Sequence, residues 1–113
     1  MKYFFSLRIE AEQEQVFKIN DILGIKSNYP EVSWGYKLKT KNQSYTNFVD
    51  SFLKVLDGKY DDLQKIGIKR ENISIWMIYE YEEQCNMEFS PKELKKLGEN
   101  EITFCISCFK KSG

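Results

Sequence analysis

The stretch between Ile73 and Phe109 carries the local signals that most constrain the fold of this chain. Residues 73–82 are rich in β-branched and aromatic side chains, which is typical of a strand. Further along, Ser90 can cap a helix by accepting a hydrogen bond from the amide of Glu93, whose side chain can reach back to the amide of Ser90. Pro91 then occupies the first helical position, where no amide donor is needed. The pattern predicts a strand followed by a capped helix.

Glycine marks the predicted end of each helix. Gly24, Gly67 and Gly98 each follow the last apolar residue of a helical pattern, and glycine is the preferred residue where a helix ends in a left-handed conformation. After Gly98, residues 101–109 are again rich in strand-forming side chains. We therefore expect a strand–helix–strand unit in the last third of the sequence.

The first two thirds of the sequence predict two more strands and two more helical segments. Apolar and polar residues alternate in Lys2–Glu10 and in Val32–Leu38, and each segment predicts a strand with one buried face. A helical period runs through Ala11–Leu23 and through Tyr45–Ile66. An Asp-Gly pair at 57–58 interrupts the longer segment, so we expect either a kink or two consecutive helices there.

This order of elements predicts an α+β fold. We expect a single α+β domain over residues 1–113, because the chain is long enough for one core and too short for two. Alternating strands imply that one sheet face is covered. The expected architecture is a two-layer sandwich, ferredoxin-like in spirit, whose four- or five-stranded, mostly antiparallel or mixed sheet has three helices mainly on one face. Asn86–Phe89 is the candidate for the fifth, short strand.

Composition excludes several classes of function. The chain carries 17 basic and 17 acidic side chains, whereas a protein that binds a phosphate backbone normally has a clear basic excess. It has no histidine, which removes Ser-His-Asp and Cys-His nucleophile systems, histidine zinc sites and imidazole acid–base catalysis. Three cysteines without an export signal or a membrane-spanning stretch favour reduced thiols in a cytoplasmic protein. We expect no metal, no cofactor, and neither a nucleic-acid nor a membrane partner.

Several segments of the sequence resemble a known bacterial family. The segments are Phe5-Ser6-Leu7-Arg8-Ile9, Ile22-Leu23-Gly24-Ile25, Trp34-Gly35-Tyr36-Lys37-Leu38, Phe52-Leu53-Lys54-Val55-Leu56, Ile73-Ser74-Ile75-Trp76-Met77-Ile78-Tyr79 and Phe89-Ser90-Pro91-Lys92-Glu93-Leu94. Over nearly the whole chain they are similar to the family catalogued as domain of unknown function 4279. The resemblance implies a small bacterial α+β protein and supplies no known active site. At fold level, such proteins look similar to immunity proteins that neutralise bacterial toxins. Lys26–Val32 is more compact than the basic, glycine-containing segment that the family often has there, so a binding role for that segment is not carried over.

Cys105 and Cys108 have the spacing of a CxxC motif, but they lie on a predicted strand. Residues three apart in a strand point to opposite faces, so the two thiols cannot readily share a metal ion or close a disulfide. Redox use also needs the first thiol at a helix N-terminus. We expect both to be small structural side chains. Cys85, in a predicted turn, is the more reactive candidate if it is exposed.

Four acidic residues surround the predicted turn after residues 73–82: Glu80, Glu82, Glu83 and Glu88. Paired carboxylates can perform acid–base chemistry where burial separates their pKa values. A turn between strands is usually wet, so the favoured interpretation is a solvated acidic rim that attracts a basic partner. A small enzyme that uses Glu80, Glu82 and Glu88 is the alternative.

Basic and aromatic residues interleave around the predicted second strand. Lys37, Lys39 and Lys41 near Trp34 and Tyr36 could suggest base stacking. On a strand, however, the aromatic side chains face away from the lysines, toward the core. A lysine-rich outer face is instead typical of a protected edge strand.

The strand predicted at residues 73–82 is apolar on both faces. Ile73, Ile75, Met77, Tyr79 and Tyr81 line one face, and Trp76 and Ile78 lie on the other. By the same alternation, Phe4 and Phe109 lie on the second faces of the first and last strands. If these strands are neighbours, an apolar strip forms on the sheet face without helices. It is then covered by a loop or tail, exposed for a protein partner, or buried by self-association. The candidate partner-binding residues are Trp76, Ile78, Glu80, Glu82, Phe4 and Phe109.

These observations favour a non-enzymatic, cytoplasmic, bacterial protein-binding domain. Its most concrete version is an immunity protein that neutralises a toxin through the helix-free sheet face. The alternatives are a small enzyme built on the carboxylate cluster and a homodimeric structural module.

Overall fold

The structure is a computed structural model that describes residues 2–38, 48–84 and 86–111. In chain order its elements are β1 (Lys2–Ile9), α1 (Gln13–Leu23), β2 (Trp34–Leu38), α2 (Phe48–Leu56), α3 (Tyr60–Lys65), a 3₁₀ turn (Arg70–Asn72), β3 (Ile73–Tyr81), α4 (Pro91–Glu99) and β4 (Thr103–Lys110). The predicted α+β class and the strand–helix–strand unit at its end are confirmed.

The four strands join into one mixed sheet in the order β2-β1-β3-β4. β1 pairs antiparallel with β2 on one side and with β3 on the other. β3 and β4 are parallel. The segment that connects them contains α4 and returns the chain to the end of the sheet at which β3 begins. The ferredoxin-like comparison is not confirmed, and residues 86–89 form no fifth strand.

All four α-helices of the described chain contribute to a core on one side of this sheet. In β3, buried residues alternate with half-buried ones, and the buried set continues across the paired residues of β1. The ring of Phe5 in β1 stacks on that of Phe48 in α2, with centroids 4.1 Å apart. Trp34 in β2 is fully buried and donates from Nε1 to Oδ1 of Asn20 in α1, at 3.0 Å. The predicted two-layer arrangement is therefore the observed one.

Two of the three predicted helix ends are confirmed. Gly24 ends α1 with φ 71°, and Gly67 follows α3 with φ 91°. The prediction for α4 was wrong: Gly98 lies inside the helix, and the residue with positive φ is Glu101, at 56°.

The end of α4 is set by a pair of buried apolar residues. The amide of Ile102 donates to the carbonyl of Leu97 at 3.1 Å, and the amide of Glu101 donates to that of Gly98 at 3.0 Å. This is the Schellman pattern, in which an apolar contact accompanies the reversal. Leu97 and Ile102 are both buried. Because their burial requires the turn between them, the helix continues past Gly98.

The remaining boundaries follow the prediction with small shifts. The segment predicted at Tyr45–Ile66 forms two helices, α2 and α3, separated by Gly58 with φ 74°. The described residues therefore form four α-helices where three were expected. The predicted start of that segment, at Tyr45, lies outside the described residues, as do Lys39 and Lys41. Val32 was predicted within β2, but it lies in the preceding turn and is exposed.

The longest helix in the described ranges, α1, has 11 residues. No helix in those ranges combines the length and apolar character needed to cross a bilayer.

Candidate functional site

The sheet face opposite the helices is called the open face here. It carries the side chains of all four strands that point away from the core. The register gives its members: Gly35 and Lys37 from β2; Phe4, Ser6 and Arg8 from β1; Ser74, Trp76, Ile78 and Glu80 from β3; Thr103, Cys105, Ser107 and Phe109 from β4. Phe4 lies directly opposite Ile78, so two of the predicted apolar side chains are cross-strand neighbours. The structure thus brings Phe4, Trp76, Ile78 and Phe109 onto one surface.

Trp76 is half-buried because its own chain covers part of it. The guanidinium carbon of Arg8 lies 4.6 Å from the centre of the indole ring, a cation–π contact. The indole Nε1 donates to Oγ of Ser74 at 2.9 Å. Arg8 and Ser74 hold the ring in place and leave it partly accessible.

A second cation covers the other large ring at the centre of the open face. Nζ of Lys37 lies 4.2 Å from the centre of the Phe4 ring. Sequence analysis placed Lys37 on the outer face of its strand but did not identify either cation–π contact. Alternation along one strand shows which face a side chain takes, whereas these contacts depend on which strands are neighbours.

Ser6 lies between these groups and is fully buried. Its Oγ has no hydrogen-bond partner in the described part of the chain. A buried hydroxyl without a partner is unfavourable. Its burial indicates that the surrounding rings and long cationic side chains exclude water from the middle of the open face.

Phe109 is the most exposed of the predicted apolar residues, with 48% of its surface accessible. It lies near the end of β4, opposite Glu80. β4 is an edge strand, so Phe109 has a strand neighbour on one side alone within the described residues. The apolar strip therefore runs from a covered centre to an exposed edge.

The acidic residues lie at the end of β3 and in the turn beyond it. Glu80 is half-buried on the open face, whereas Glu82, Glu83 and Glu88 are exposed. Oε1 of Glu82 accepts from Nζ of Lys111 at 3.4 Å, in an ion pair that is largely solvated. Exposed pairs of this kind contribute little to stability. The register places Glu80 on the open face, whereas Glu88 precedes Phe89, whose ring packs against that of Phe48 on the helix side of the sheet.

No family model, no curated protein and no solved structure matches this chain. The resemblance to the domain of unknown function 4279 family stays a prediction.

Cys105 and Cys108 lie on opposite faces of β4, as predicted from their spacing. Cys105 is opposite Trp76 on the open face, and Cys108 is opposite Tyr79 on the helix face. Both are free thiols. Within the described ranges, no group of three or more histidine, cysteine, aspartate or glutamate side chains is placed to hold a metal ion. Cys85 lies outside the described residues.

Three cavities in the described ranges lie on the helix side of the molecule. One of about 260 Å³ is bounded by α3, the 3₁₀ turn and the start of β3, and Tyr60 and Arg70 line it. A second, of about 630 Å³, lies beside α2 and includes Asp50 and Asp57. A third, of about 600 Å³, lies at the end of α1 and includes Phe17. Glu80, Glu82 and Glu88 line none of these three.

The first of these three cavities adjoins a polar junction that the sequence pattern did not predict. The guanidinium carbon of Arg70 lies 3.3 Å from the centre of the Tyr60 ring, and its Nη1 donates to the carbonyl of Asn100. The hydroxyl of Tyr60 donates to Oδ1 of Asn100 at 3.0 Å. Burial raises the pKa of the Tyr60 phenol, Asp57 raises it further, and Arg70 opposes both. These contacts join α3, the 3₁₀ turn and the end of α4, which indicates a structural role.

Proposed function

We propose that this chain is a non-enzymatic, cytoplasmic protein-binding domain that uses the open face. The observation that supports this most is the shared placement of Phe4, Trp76, Ile78 and Phe109 on the face that the helices leave uncovered. Tryptophan and arginine are among the residues enriched in the binding hot spots of protein interfaces, and Arg8 lies against Trp76.

The charges around the apolar strip suggest how a partner is oriented. The guanidinium of Arg8 lies over Trp76 in the middle of β3 and Nζ of Lys37 lies over Phe4, whereas Glu80 and Glu82 lie at the end of β3. A partner with a basic patch beside an apolar one would place the basic patch on the carboxylates. The opposite arrangement would bring like charges together, so the open face selects one orientation.

The most concrete version of this proposal is an immunity protein that neutralises a bacterial toxin. Support comes from the resemblance to the domain of unknown function 4279 family and from the carboxylates of Glu80 and Glu82 at the end of β3, which suit a basic enzyme. Binding would block the toxin's active site through complementary shape and charge.

The test uses the protein encoded by the reading frame next to the gene of this chain, purified in a catalytically disabled form. We expect the intact chain to bind it and Trp76→Ala to weaken binding by about 30-fold or more, since buried interface tryptophans are frequent hot spots. Isothermal titration calorimetry measures both values. Phe17→Ala is the matched control, because Phe17 is an aromatic residue on α1 with 67% of its surface exposed.

Phe109→Ala provides a second variant that changes the open face without removing a buried ring. Equal affinity of the intact chain, Trp76→Ala and Phe109→Ala would exclude the open face as the binding surface. An immunity role also predicts that the intact chain protects cells that produce the active toxin and that the same two variants do not. Simple binding without neutralisation would give no protection in any of the three.

The two alternatives predict different results. A carboxylate enzyme would need Glu80, Glu82 and Glu88 around a substrate cavity, and the three cavities described above are lined by other residues. A homodimer through the open face would make the molecular mass depend on concentration, and Trp76→Ala would abolish that dependence.

A further inference from the structure

The two edge strands of the sheet, β2 and β4, differ in whether another segment of the described chain covers their outer edge. The free edge of β2 is covered by the loop before it: the amide of Asn28 donates to the carbonyl of Gly35 at 2.7 Å. Oγ of Ser27 accepts from the amide of Gly35 at 3.0 Å, and Oδ1 of Asn28 accepts from the amide of Lys37 at 2.7 Å. In the described part of the chain, β4 pairs with β3 and no strand or loop segment pairs with its outer edge.

The sequence of β4 has few of the features that usually protect an exposed edge strand. Its eight residues, Thr103–Lys110, contain no proline and no glycine, and the one charge is at the last position. Its pairing with β3 runs through eight consecutive residues without a bulge. Ile106 and Phe109 are large apolar side chains with 44% and 48% of their surfaces exposed. Long, uncharged edges of this kind readily pair with another strand.

We propose that β4 pairs antiparallel with β4 of a second copy of this chain, around a twofold axis at Ile106. In that register Ile106 lies opposite Ile106 of the second copy, Cys105 opposite Ser107, Phe104 opposite Cys108, and Thr103 opposite Phe109. Each pair lies on one sheet face, because the paired positions have the same alternation. The result is a continuous eight-stranded sheet.

The charges that flank β4 favour a second copy over an unrelated strand. Glu101 precedes the strand, Lys110 ends it, and Lys111 follows it. Antiparallel pairing around Ile106 brings Lys111 to the end of the second copy's strand that Glu101 precedes, twice in the dimer. The ion pair of Lys111 with Glu82 is largely exposed, so it can exchange for the new contact. A strand with opposite charges at its two ends complements itself when reversed.

This dimer leaves the centre of each open face accessible. Phe109 of one copy would lie beside Thr103 of the other, which pairs with Ser74 in its own sheet, so the two apolar strips would stay separate. The inference does not rest on the proposed function, because β4 pairing uses backbone groups on an edge and not the rings on the open face.

Sedimentation velocity between about 1 µM and about 1 mM tests the proposal on the full chain. We expect reversible dimer formation in that range. Ile106→Lys would place two like charges opposite each other at the axis and weaken the dimer by about fivefold or more. Val32→Lys makes a similar change at an exposed apolar residue in the loop before β2, at the opposite edge of the sheet from β4, and should leave dimer formation unchanged. Thermal unfolding by circular dichroism checks that both variants fold.

Cross-linking gives an independent measurement of the register. In a chain whose native cysteines are replaced by serine, Ile106→Cys should form a disulfide-linked dimer on mild oxidation, because each thiol faces its equivalent. Thr103→Cys at the far end of β4 should not, since it faces position 109 of the second copy. A chain that stays monomeric throughout the concentration range would overturn the proposal. So would a dimer that Ile106→Lys leaves intact, or one in which Thr103→Cys cross-links and Ile106→Cys does not.

Discussion

At the residue scale, Ser6 is a small polar residue in a space shaped by large side chains. It is fully buried on the open face, and its Oγ has no hydrogen-bond partner among the described residues. We expect Ser6→Ala to raise the free energy of unfolding by about 1 kcal/mol, because the variant no longer buries a hydroxyl without a partner. Urea unfolding followed by tryptophan fluorescence measures the change. Ser74→Ala is the control: it removes the acceptor of the Trp76 indole and should lower stability by about 1 kcal/mol. A loss of stability in Ser6→Ala would contradict this account.

Glu101 carries backbone strain at the end of α4. Its φ of 56° is in the left-handed region, which costs a residue with a Cβ about 1–2 kcal/mol. We expect Glu101→Gly to stabilise the fold by about 0.5–1 kcal/mol, since glycine tolerates this φ but loses more backbone entropy on folding. Differential scanning calorimetry of the variant and of Glu101→Ala measures it. Alanine keeps the Cβ and should give almost no gain, and a gain of equal size in both variants would attribute the effect to the lost charge.

At the element scale, the junction of Tyr60, Arg70 and Asn100 holds α3, the 3₁₀ turn and the end of α4 together. Tyr60→Phe keeps the ring under Arg70 but removes the donor to Asn100. We expect it to lower the free energy of unfolding by about 1 kcal/mol at neutral pH. Urea unfolding near pH 7 measures the change, and a variant as stable as the intact chain would show that the hydrogen bond contributes nothing.

The same tyrosine makes stability depend on alkaline pH. Burial raises the folded-state pKa of Tyr60 above the ordinary value for tyrosine, so between the unfolded-state and folded-state pKa values the folded chain binds the proton more tightly than the unfolded chain does. The contribution is complete below about pH 10 and is lost as the pH rises through the folded pKa. The pKa of Tyr3 is raised as well, mainly by burial. Tyr60→Phe should therefore lose less stability at alkaline pH than the intact chain does. Some loss should remain, because Tyr3 still contributes. Unfolding between about pH 8 and pH 11 compares the two, and equal losses would exclude Tyr60 as a source.

Most of the elements follow from local patterns in the sequence. β1 and β3 alternate with period two along their length, and Ser90 and Pro91 begin α4 as predicted, with Oγ of Ser90 accepting from the amide of Glu93 at 3.2 Å. The end of α4 could not be predicted in the same way. It depends on the burial of Ile102 against the core, which is a long-range property.

At the scale of the whole molecule, the sheet order makes β1 and β3 central and β2 and β4 edges. We expect the amides that join β1 to β3 to exchange hydrogen most slowly, through global unfolding, because each of these strands has a neighbour on both sides. The outward amides of β4 should exchange quickly in dilute protein and more slowly at high concentration. Hydrogen exchange at two concentrations measures both, and slow exchange along the outer edge of β4 in dilute protein would contradict the described sheet.

The sequence by itself determined which side chains share a face of each strand, because the two-residue period is a local property of the backbone. It therefore placed Trp76 and Ile78 together and away from the core face of β3. The tertiary structure decided the rest. Contacts between residues far apart in the chain decide which strands are neighbours and which cations lie over Trp76 and Phe4. They also decide where α4 ends. Such contacts form where burial and charge are satisfied together, and no short window of sequence contains both partners.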